Sequence, residues 1–383
     1  MSKKDKKIKV GVIFGGRSGE HEVSIISAQS VIKELDKNKY QVIPIGITKK
    51  GQWVAGPQAV RFLKEGLKKL PFKSVLPVDP TEKRLVKVKE KGLVPVSSQK
   101  SSFAPIDVVF PVLHGPYGED GTIQGMLELA NIAYVGAGVL GSALGMDKVV
   151  QKQVFKQIGL PIVNYIWFLA KTWQRNQQPI VREIEKKLKY PVFSKPANLG
   201  SSVGIGKCHN RKELISGIND AARYDRKIII EQGIENIFEI EVSVLGNDNP
   251  KASVPGEIIA SNEFYDYDAK YIDGKSQAII PAHLPQKVIK EIQDIATSAF
   301  RGLDLAGMAR VDFFVVKGSY KVYLNEVNTI PGFTSISMYP KLWAASGLPY
   351  SKLLDKLIEL ALQRHQAKNK LATSYQPKKD WYK

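Results

Sequence analysis

Two short stretches carry the residues best suited to chemistry: Arg310-Val311-Asp312 and Glu326-Val327-Asn328. In a β-strand the first and third residues of a triplet share a face. Arg310 therefore lies beside Asp312 and Glu326 beside Asn328, and a hairpin through Lys317-Gly318-Ser319 would gather all four. Two carboxylates and an amide oxygen are hard donors of the kind Mg²⁺ takes, its other positions going to water and substrate phosphates. An arginine beside them suits a centre where negative charge develops; a salt-bridged surface hairpin is the alternative reading. A two-residue Gly318-Ser319 loop would put Asp312 opposite Asn325, the wrong parity for Glu326. The arrangement thus predicts a three-residue turn or a bulge.

Four further constellations accompany it. The stretch from Lys195 to Lys207, centred on Gly200-Ser201-Ser202-Val203-Gly204, is not a P-loop: five residues separate Gly200 from Gly206, and Cys208 follows Lys207. It leaves a loop whose backbone N–H groups and Ser201 and Ser202 hydroxyls could fold over phosphates, with Lys195 as a point charge. An ordinary glycine-rich hairpin fits equally well. Gly15-Gly16-Arg17-Ser18-Gly19-Glu20-His21-Glu22 lacks the G-x-G-x-x-G fingerprint of dinucleotide sites. Glu20 and Glu22 would repel a pyrophosphate there and suit a cationic group such as an amine, unless they only complement the helix dipole. His114 opens a glycine-dense loop after a buried strand, where open sheets bind ligands; a structural histidine is the other reading. The polar, aromatic run from Phe264 to Gly274 reads as a lid loop or an inert surface loop.

The elements that must hold these residues follow from periodicity. Ile8 to Phe14, Val42 to Ile47 and Val108 to Leu113 are strands alternating with helical patterns, the first through Val23, Ile26 and Val31, and together they imply an open α/β sheet. Leu85 to Val96 suggests a peripheral hairpin within a lysine-rich excursion over 64–100. A helix is expected from about Asp147 to Gln157, with Val150, Val154 and Ile158 on one stripe and a stop at Gly159 and Pro161. Tyr190 to Lys195 with Val203 to Lys207, and Gly307 to Val316 with Tyr320 to Asn328, are strand pairs. Ile228 to Ile230 is a strand ending at Glu231, and an amphipathic helix runs from Tyr350 to about Gln363 before a polar, frayed tail.

At 383 residues the chain exceeds the roughly 250–300 at which one core stops growing, so two or three domains are expected. Hydrophobic residues at 43% and charged residues at 24% describe a folded globular protein, and no apolar run reaches the ~20 residues of a membrane span. Lys+Arg 56 against Asp+Glu 37 leaves +19. The lysines crowd both ends and the 64–100 stretch, without zinc-finger spacing or an RRM-like aromatic motif, so the excess favours acidic ligands such as nucleotides over nucleic acid. A lone Cys208 excludes an intramolecular disulfide framework, and the charged N-terminus lacks the apolar core of a signal peptide, so the cytoplasm is the expected setting.

Together these residues resemble the D-alanine-D-alanine ligase family of the ATP-grasp superfamily. The likeness runs from Gly15-Gly16 and Ser18 with His21-Glu22-Val23-Ser24, through His114-Gly115, Gly118-Glu119-Asp120-Gly121 and Met146-Asp147-Lys148. It continues in Lys195-Pro196, Gly200 to Gly204, Tyr265-Asp266-Tyr267 and Ala269-Lys270-Tyr271, and ends at Arg310, Asp312 and Asn325 to Thr334. The resemblance implies a three-domain ATP-grasp architecture, α/β overall and α+β in the ATP-binding part. An N-terminal open-sheet domain would span 1–140 and hold the first D-alanine, a central domain with the glycine-rich loop 141–233, and a C-terminal domain 234–383 with the lid, the metal ligands and the second D-alanine site.

The implied reaction forms a D-alanyl phosphate from ATP, then D-alanyl-D-alanine for peptidoglycan, with release of ADP and phosphate. Asp312, Glu326 and Asn328 would hold two Mg²⁺ ions, with Mn²⁺ an alternative. Lys148 and Lys195 would meet the α- and β-phosphates, Lys270 the γ-phosphate, and Ser202 the nucleotide, with Glu231 at adenine and Glu239 at ribose. Glu22 would bind the first D-alanine's ammonium and His114 lie near its carboxylate; Arg310 and the Gly332 N–H would stabilise the oxyanion. Ser337 and the Met338 N–H would hold the second carboxylate, and Tyr271, bonded with Ser201 and Glu22, would close the lid. Tyr271 favours D-alanine over D-lactate as acceptor, since a phenylalanine there is one way the family changes that preference. A homodimer without nucleic-acid or membrane partners is implied; a dinucleotide-dependent oxidoreductase is opposed by the missing fingerprint.

Overall fold

Continuous apolar runs build the first sheet, because strands covered on both faces have no polar side to show. The computed structural model describes residues 7–65, 106–259 and 277–374. The hairpin expected over 85–96, the lid loop over 264–274, and Lys270 and Tyr271 within it lie outside the described residues. The first part runs β1 (Ile8–Gly15), α1 (His21–Glu34), β2 (Tyr40–Ile47), β3 (Trp53–Ala55), α2 (Pro57–Glu65), β4 (Val108–Pro111), α3 (Thr122–Leu129), β5 (Ala133–Tyr134) and α4 (Val139–Met146). The sheet order is β3-β2-β1-β4-β5, parallel except for the β2–β3 edge pair. Val10, Val12 and Phe14 face one core with Ala28 and Val31 of α1, while Ile13 and Val109 face another with Ile123 and Leu127 of α3. The loops that bind ligands in such a sheet leave the carboxyl ends of β1 and β4.

The second part opens with α5 (Lys148–Gln157), capped by Asp147, whose carboxylate accepts the Val149 and Val150 N–H groups. There follow β6 (Tyr165–Leu169), α6 (Ala170–Arg175), α7 (Gln177–Lys187), β7 (Val192–Pro196), β8 (Gly206–Cys208), α8 (Arg211–Ala221) and β9 (Lys227–Gln232). They form an antiparallel sheet of order β6-β9-β7-β8, covered by Trp173, Ile184, Leu214 and Ile218. Strand β8 begins at Gly206 rather than at the expected Val203. Ser201 (φ 51), Ser202 (φ 58) and Gly204 (φ 71) are left-handed, which curls the chain instead of extending it.

The third part comprises β10 (Ile237–Gly246), β11 (Lys251–Ala252), β12 (Gly256–Ile259), β13 (Gln277–Ile279), α9 (Gln286–Gly302), β14 (Gly307–Val316), β15 (Val322–Asn328), α10 (Met338–Ala345) and α11 (Tyr350–Asn369). Its sheet runs β13-β12-β10-β14-β15, with β11 pairing β10. Along β14 Ala309, Val311, Phe313 and Val315 are buried in the core that also holds Ile292, Ala296 and Ala299 of α9, leaving Arg310 and Asp312 on the opposite face. Helix α11 continues to Asn369, beyond the expected Gln363. Its Leu353, Leu354, Leu357 and Ile358 join the core of Val10, Phe14 and Phe110, so the last helix closes the first sheet.

The expected apolar stripe of α5 is only part of its inner face: Val154 packs against the core of the third part. Ile158 is 45% exposed, whereas Val149, Gln151, Lys152 and Phe155 are buried. Polar residues can occupy that face because two sheets meet there and supply partners.

Candidate active site

The β14–β15 hairpin places Arg310 opposite Asn328 and Asp312 opposite Glu326, then shifts so that Phe313 pairs with Leu324. Asn325 is the extra residue, and this bulge restores the parity that a plain hairpin would lose. Arg310 donates from Nε and Nη2 to the two oxygens of Asp312 at 2.8 and 2.7 Å, and Asn328 donates from Nδ2 to Asp312 Oδ2 at 3.0 Å. Glu326 pairs with Lys148 at 3.1 Å. Glu241, opposite Asp312 on β10, lies 3.1 Å from Arg310 Nε.

Between the second and third sheets lies a cavity of about 420 Å³, its walls including Lys195, Ser202, Glu231, Glu239, Asp312 and Glu326. Glu231, expected at adenine, lines this space but engages two ammonium groups: Lys195 at 2.5 Å and Lys152 at 2.8 Å. Burial alone would raise its pKa; Lys152 and Lys195 outweigh that and hold it at about 2. Lys148 donates to the Leu199 carbonyl at 3.0 Å, which ties the glycine-rich loop to the start of α5. Burial acts to lower its pKa, but the charge of Glu326 carries it above the ordinary value.

A second cavity of about 210 Å³ adjoins the first, and both have Glu241 and Glu326 in their walls. It gathers Glu20, His114, Ser201, Arg310, Gly332, Ser337 and Met338. The β1–α1 turn that reaches it needs Gly15: φ is 91, and a Cβ there would sit 2.2 Å from the Ile47 carbonyl oxygen. His114 is buried and donates from Nδ1 to the Ile330 carbonyl at 3.1 Å, with Nε2 at 3.4 Å from Ser27 Oγ. Burial lowers its pKa and keeps the ring neutral. Ser337 Oγ accepts the Thr334 N–H at 3.0 Å, and a Cβ on Gly332 would come within 2.7 Å of that oxygen.

One expected residue lies elsewhere. Glu22 is 58% exposed and pairs with Lys49 at 2.6 Å, while Glu20 faces the cavity and accepts the Ser201 hydroxyl. Helix α1 begins at His21, so Glu20 stands at its mouth, whereas Glu22 is two residues further on and about 200° around from it. Glu119 went unassigned in the sequence although it lies within the Gly118–Gly121 motif. Its carboxyl accepts the Gly115 N–H at 2.6 Å and the Ile330 N–H at 3.2 Å, and burial, with Glu20 adding to it, raises its pKa to about 8.

The donor set fits a hard divalent cation: Asp312, Glu326 and the amide of Asn328 share one face at the junction of the two cavities. Among the described residues no three His, Cys, Asp or Glu side chains gather as a metal site. Two antiparallel sheets closing on a cavity with lysines, left-handed serines and hard donors define the ATP-grasp class.

Within that class the chain is specific. Residues 9–137 match the model described as D-ala D-ala ligase N-terminus, and 154–359 the one described as D-ala D-ala ligase C-terminus. The chain belongs to the D-alanine-D-alanine ligase family. It is 52% identical over 372 residues to a D-alanine--D-alanine ligase of Natranaerobius thermophilus, covering 97% of this chain and 99% of that protein. It is 50% identical over 369 residues to one of Heliobacterium modesticaldum, covering 96% and 98%. Among solved structures, the D-alanine-D-alanine ligase from Coxiella burnetii superposes with a TM-score of 0.81 at 38% identity, covering 95% of this chain and 96% of that one. The VanG D-Ala:D-Ser ligase from Enterococcus faecalis superposes with 0.79, also at 38%, covering 93% and 100%.

Proposed function

We propose that the protein joins two D-alanine molecules into D-alanyl-D-alanine for peptidoglycan precursors, using ATP and releasing ADP and phosphate. One observation carries the reading beyond family membership: the nucleotide-sized cavity and the small polar cavity share Glu241 and Glu326. A terminal phosphate beside Asp312 would thus lie against a pocket of amino-acid size.

Lys148 and Lys195 hold the α- and β-phosphates, Ser202 contributes from the loop, and Glu239 faces the ribose. Glu231 faces the adenine and keeps Lys195 in place. Glu20, in place of Glu22, takes the ammonium of the first D-alanine, and His114 lies by its carboxylate, which attacks the γ-phosphate. The amine of the second D-alanine, its carboxylate held by Ser337 and the Met338 N–H, then displaces phosphate. Arg310 and the Gly332 N–H meet the oxyanion that develops, and one such donor is worth roughly 10²–10³ in rate. Two Mg²⁺ ions, or Mn²⁺, held by Asp312, Glu326 and Asn328 would neutralise charge on the phosphates. Lys270 at the γ-phosphate and Tyr271 closing over Ser201 belong to the same proposal through the family motif, as do a homodimer and a cytoplasmic setting. No helix among the described residues is long and apolar enough to cross a membrane.

Because a solved D-Ala:D-Ser ligase is also 38% identical, the test compares acceptors directly. Phosphate release with ATP and Mg²⁺ is to be measured with D-alanine, with L-alanine, and with D-alanine plus D-serine or D-lactate, products being weighed by mass spectrometry. Phosphate and a D-alanyl-D-alanine mass from D-alanine alone are expected. Product only in a mixed reaction overturns the acceptor, and no D-alanine-dependent turnover by folded protein overturns the ligation itself.

A further inference from the structure

Strand β15 carries Glu326 and Asn328, yet it is the last strand of its sheet. An edge strand leaves a row of backbone N–H and C=O groups without a ladder. Near Leu324 the edge is met by the chain after α5: Leu324 donates its N–H to the Pro161 carbonyl at 2.7 Å, beside an isolated bridge to Ile162. At the bulge and beyond it, the partners are two side chains of α5.

Gln151 treats Val327 as a paired strand would. Its Oε1 accepts the Val327 N–H at 2.9 Å, and its Nε2 donates to the Val327 carbonyl at 3.0 Å and also to the Gly145 carbonyl. Lys152 donates to the carbonyl of Asn325, the extra residue of the bulge, at 3.1 Å, and pairs with Glu231 of β9 at 2.8 Å. Both side chains are buried, Gln151 2% and Lys152 1% exposed. With Lys148, which pairs with the Glu326 carboxylate, they stand at i, i+3 and i+4 on one helical face. Three successive residues of β15 are thereby held from one face of one helix.

We propose that Gln151 and Lys152 are positioning residues that fix the bulge of β15, and through it the divalent-metal ligands Glu326 and Asn328, in register with the nucleotide-binding sheet. The proposal rests on the metal reading of Asp312, Glu326 and Asn328. Of the two sheets, Gln151 bonds only the one that carries the metal ligands. Lys152 acts on both sides, since Glu231 also holds Lys195.

This asymmetry supplies the test. Mn²⁺ binding to the full chain is followed by the electron paramagnetic resonance signal of free Mn²⁺, and metal-free ATP binding by calorimetry. Gln151→Met, similar in length but without donor or acceptor, is expected to weaken Mn²⁺ binding about tenfold, the scale of one buried hydrogen-bond pair, with ATP binding within twofold of wild type. Gln151→Glu, which still accepts the Val327 N–H, should fall between and carries the measurement if the methionine variant does not fold. Lys152→Met should weaken both ligands. Unchanged Mn²⁺ affinity in a folded Gln151 variant overturns the proposal. Wild-type Mn²⁺ binding that is absent, or indifferent to Asp312→Asn, overturns the metal reading and this proposal with it.

Discussion

Replacing Glu20 by Gln, with Glu22→Gln beside it, separates the two glutamates at the mouth of α1. An ammonium about 4 Å from the Glu20 carboxylate, at the effective dielectric of ~20 for partly buried pairs, gains about 4 kcal/mol. Desolvating both groups returns part of that, leaving about 3 kcal/mol, or roughly a 10²-fold rise in KM for the first D-alanine. The glutamine still offers an oxygen to the Ser201 hydroxyl, so the contact between α1 and the glycine-rich loop survives and the loss reports charge. Glu22 pairs with Lys49 where both are more than half exposed, and such pairs are worth about 0–1 kcal/mol, so Glu22→Gln should change KM less than about fivefold. Initial rates of phosphate release at saturating ATP, fitted to two D-alanine constants, distinguish the variants. A large KM effect in Glu22→Gln with little in Glu20→Gln would refute the placement of the substrate on the Ser201 side of the helix.

Two other expectations concern stability. Glu231, held at about 2 against an ordinary 4.5, contributes stability that is present above pH 4.5 and lost as pH falls through about 2. That difference amounts to about 3 kcal/mol, reduced by Lys152, whose own charged form burial disfavours. Calorimetry should therefore show Glu231→Gln well below wild type in Tm at neutral pH and converging on it near about pH 2. A constant gap across that range would remove the ion pair as the cause. Gly141→Ala would bring a Cβ within 2.5 Å of the Asp304 carbonyl oxygen and should cost about 1–3 kcal/mol, whereas Gly125→Ala in α3 meets nothing within 4 Å and should be neutral or stabilising in urea unfolding.

The hairpin of β14 and β15 was legible because alternation and parity are local properties: Arg310, Asp312, Glu326 and Asn328 share a face only if one residue bulges, and Asn325 does. The choice between Glu20 and Glu22 was not, since it turns on the first residue of α1, and helix starts are the least determined feature of a pattern. The same limit moved the start of β8 to Gly206, where two left-handed serines curl the loop. Helix α5 misled for another reason. Val150, Val154 and Ile158 form a plausible apolar stripe, but burying Gln151 and Lys152 depends on Asn325, Val327 and Glu231, far away in sequence. Pattern cannot reveal a polar face whose partners come from other sheets.

Those partners also explain how a site dense in charge folds before its ligands arrive. Arg310 rests on Asp312 and Glu241, Lys148 on Glu326, and Lys152 and Lys195 on Glu231. A buried ion stripped of its partner costs several kcal/mol, so each pairing is what makes its members tolerable in the ligand-free protein. In the proposed reaction ATP with divalent cations would bring both signs at once: cations for Asp312 and Glu326, phosphates for Lys148 and Lys195, and later an oxyanion for Arg310. Under the proposed reaction, binding would then be an exchange of partners. Glu231 would not need to exchange, because Lys152, 2.8 Å away, would remain with it if Lys195 turned to a phosphate. On that proposal the second lysine is the element that would let the first one act.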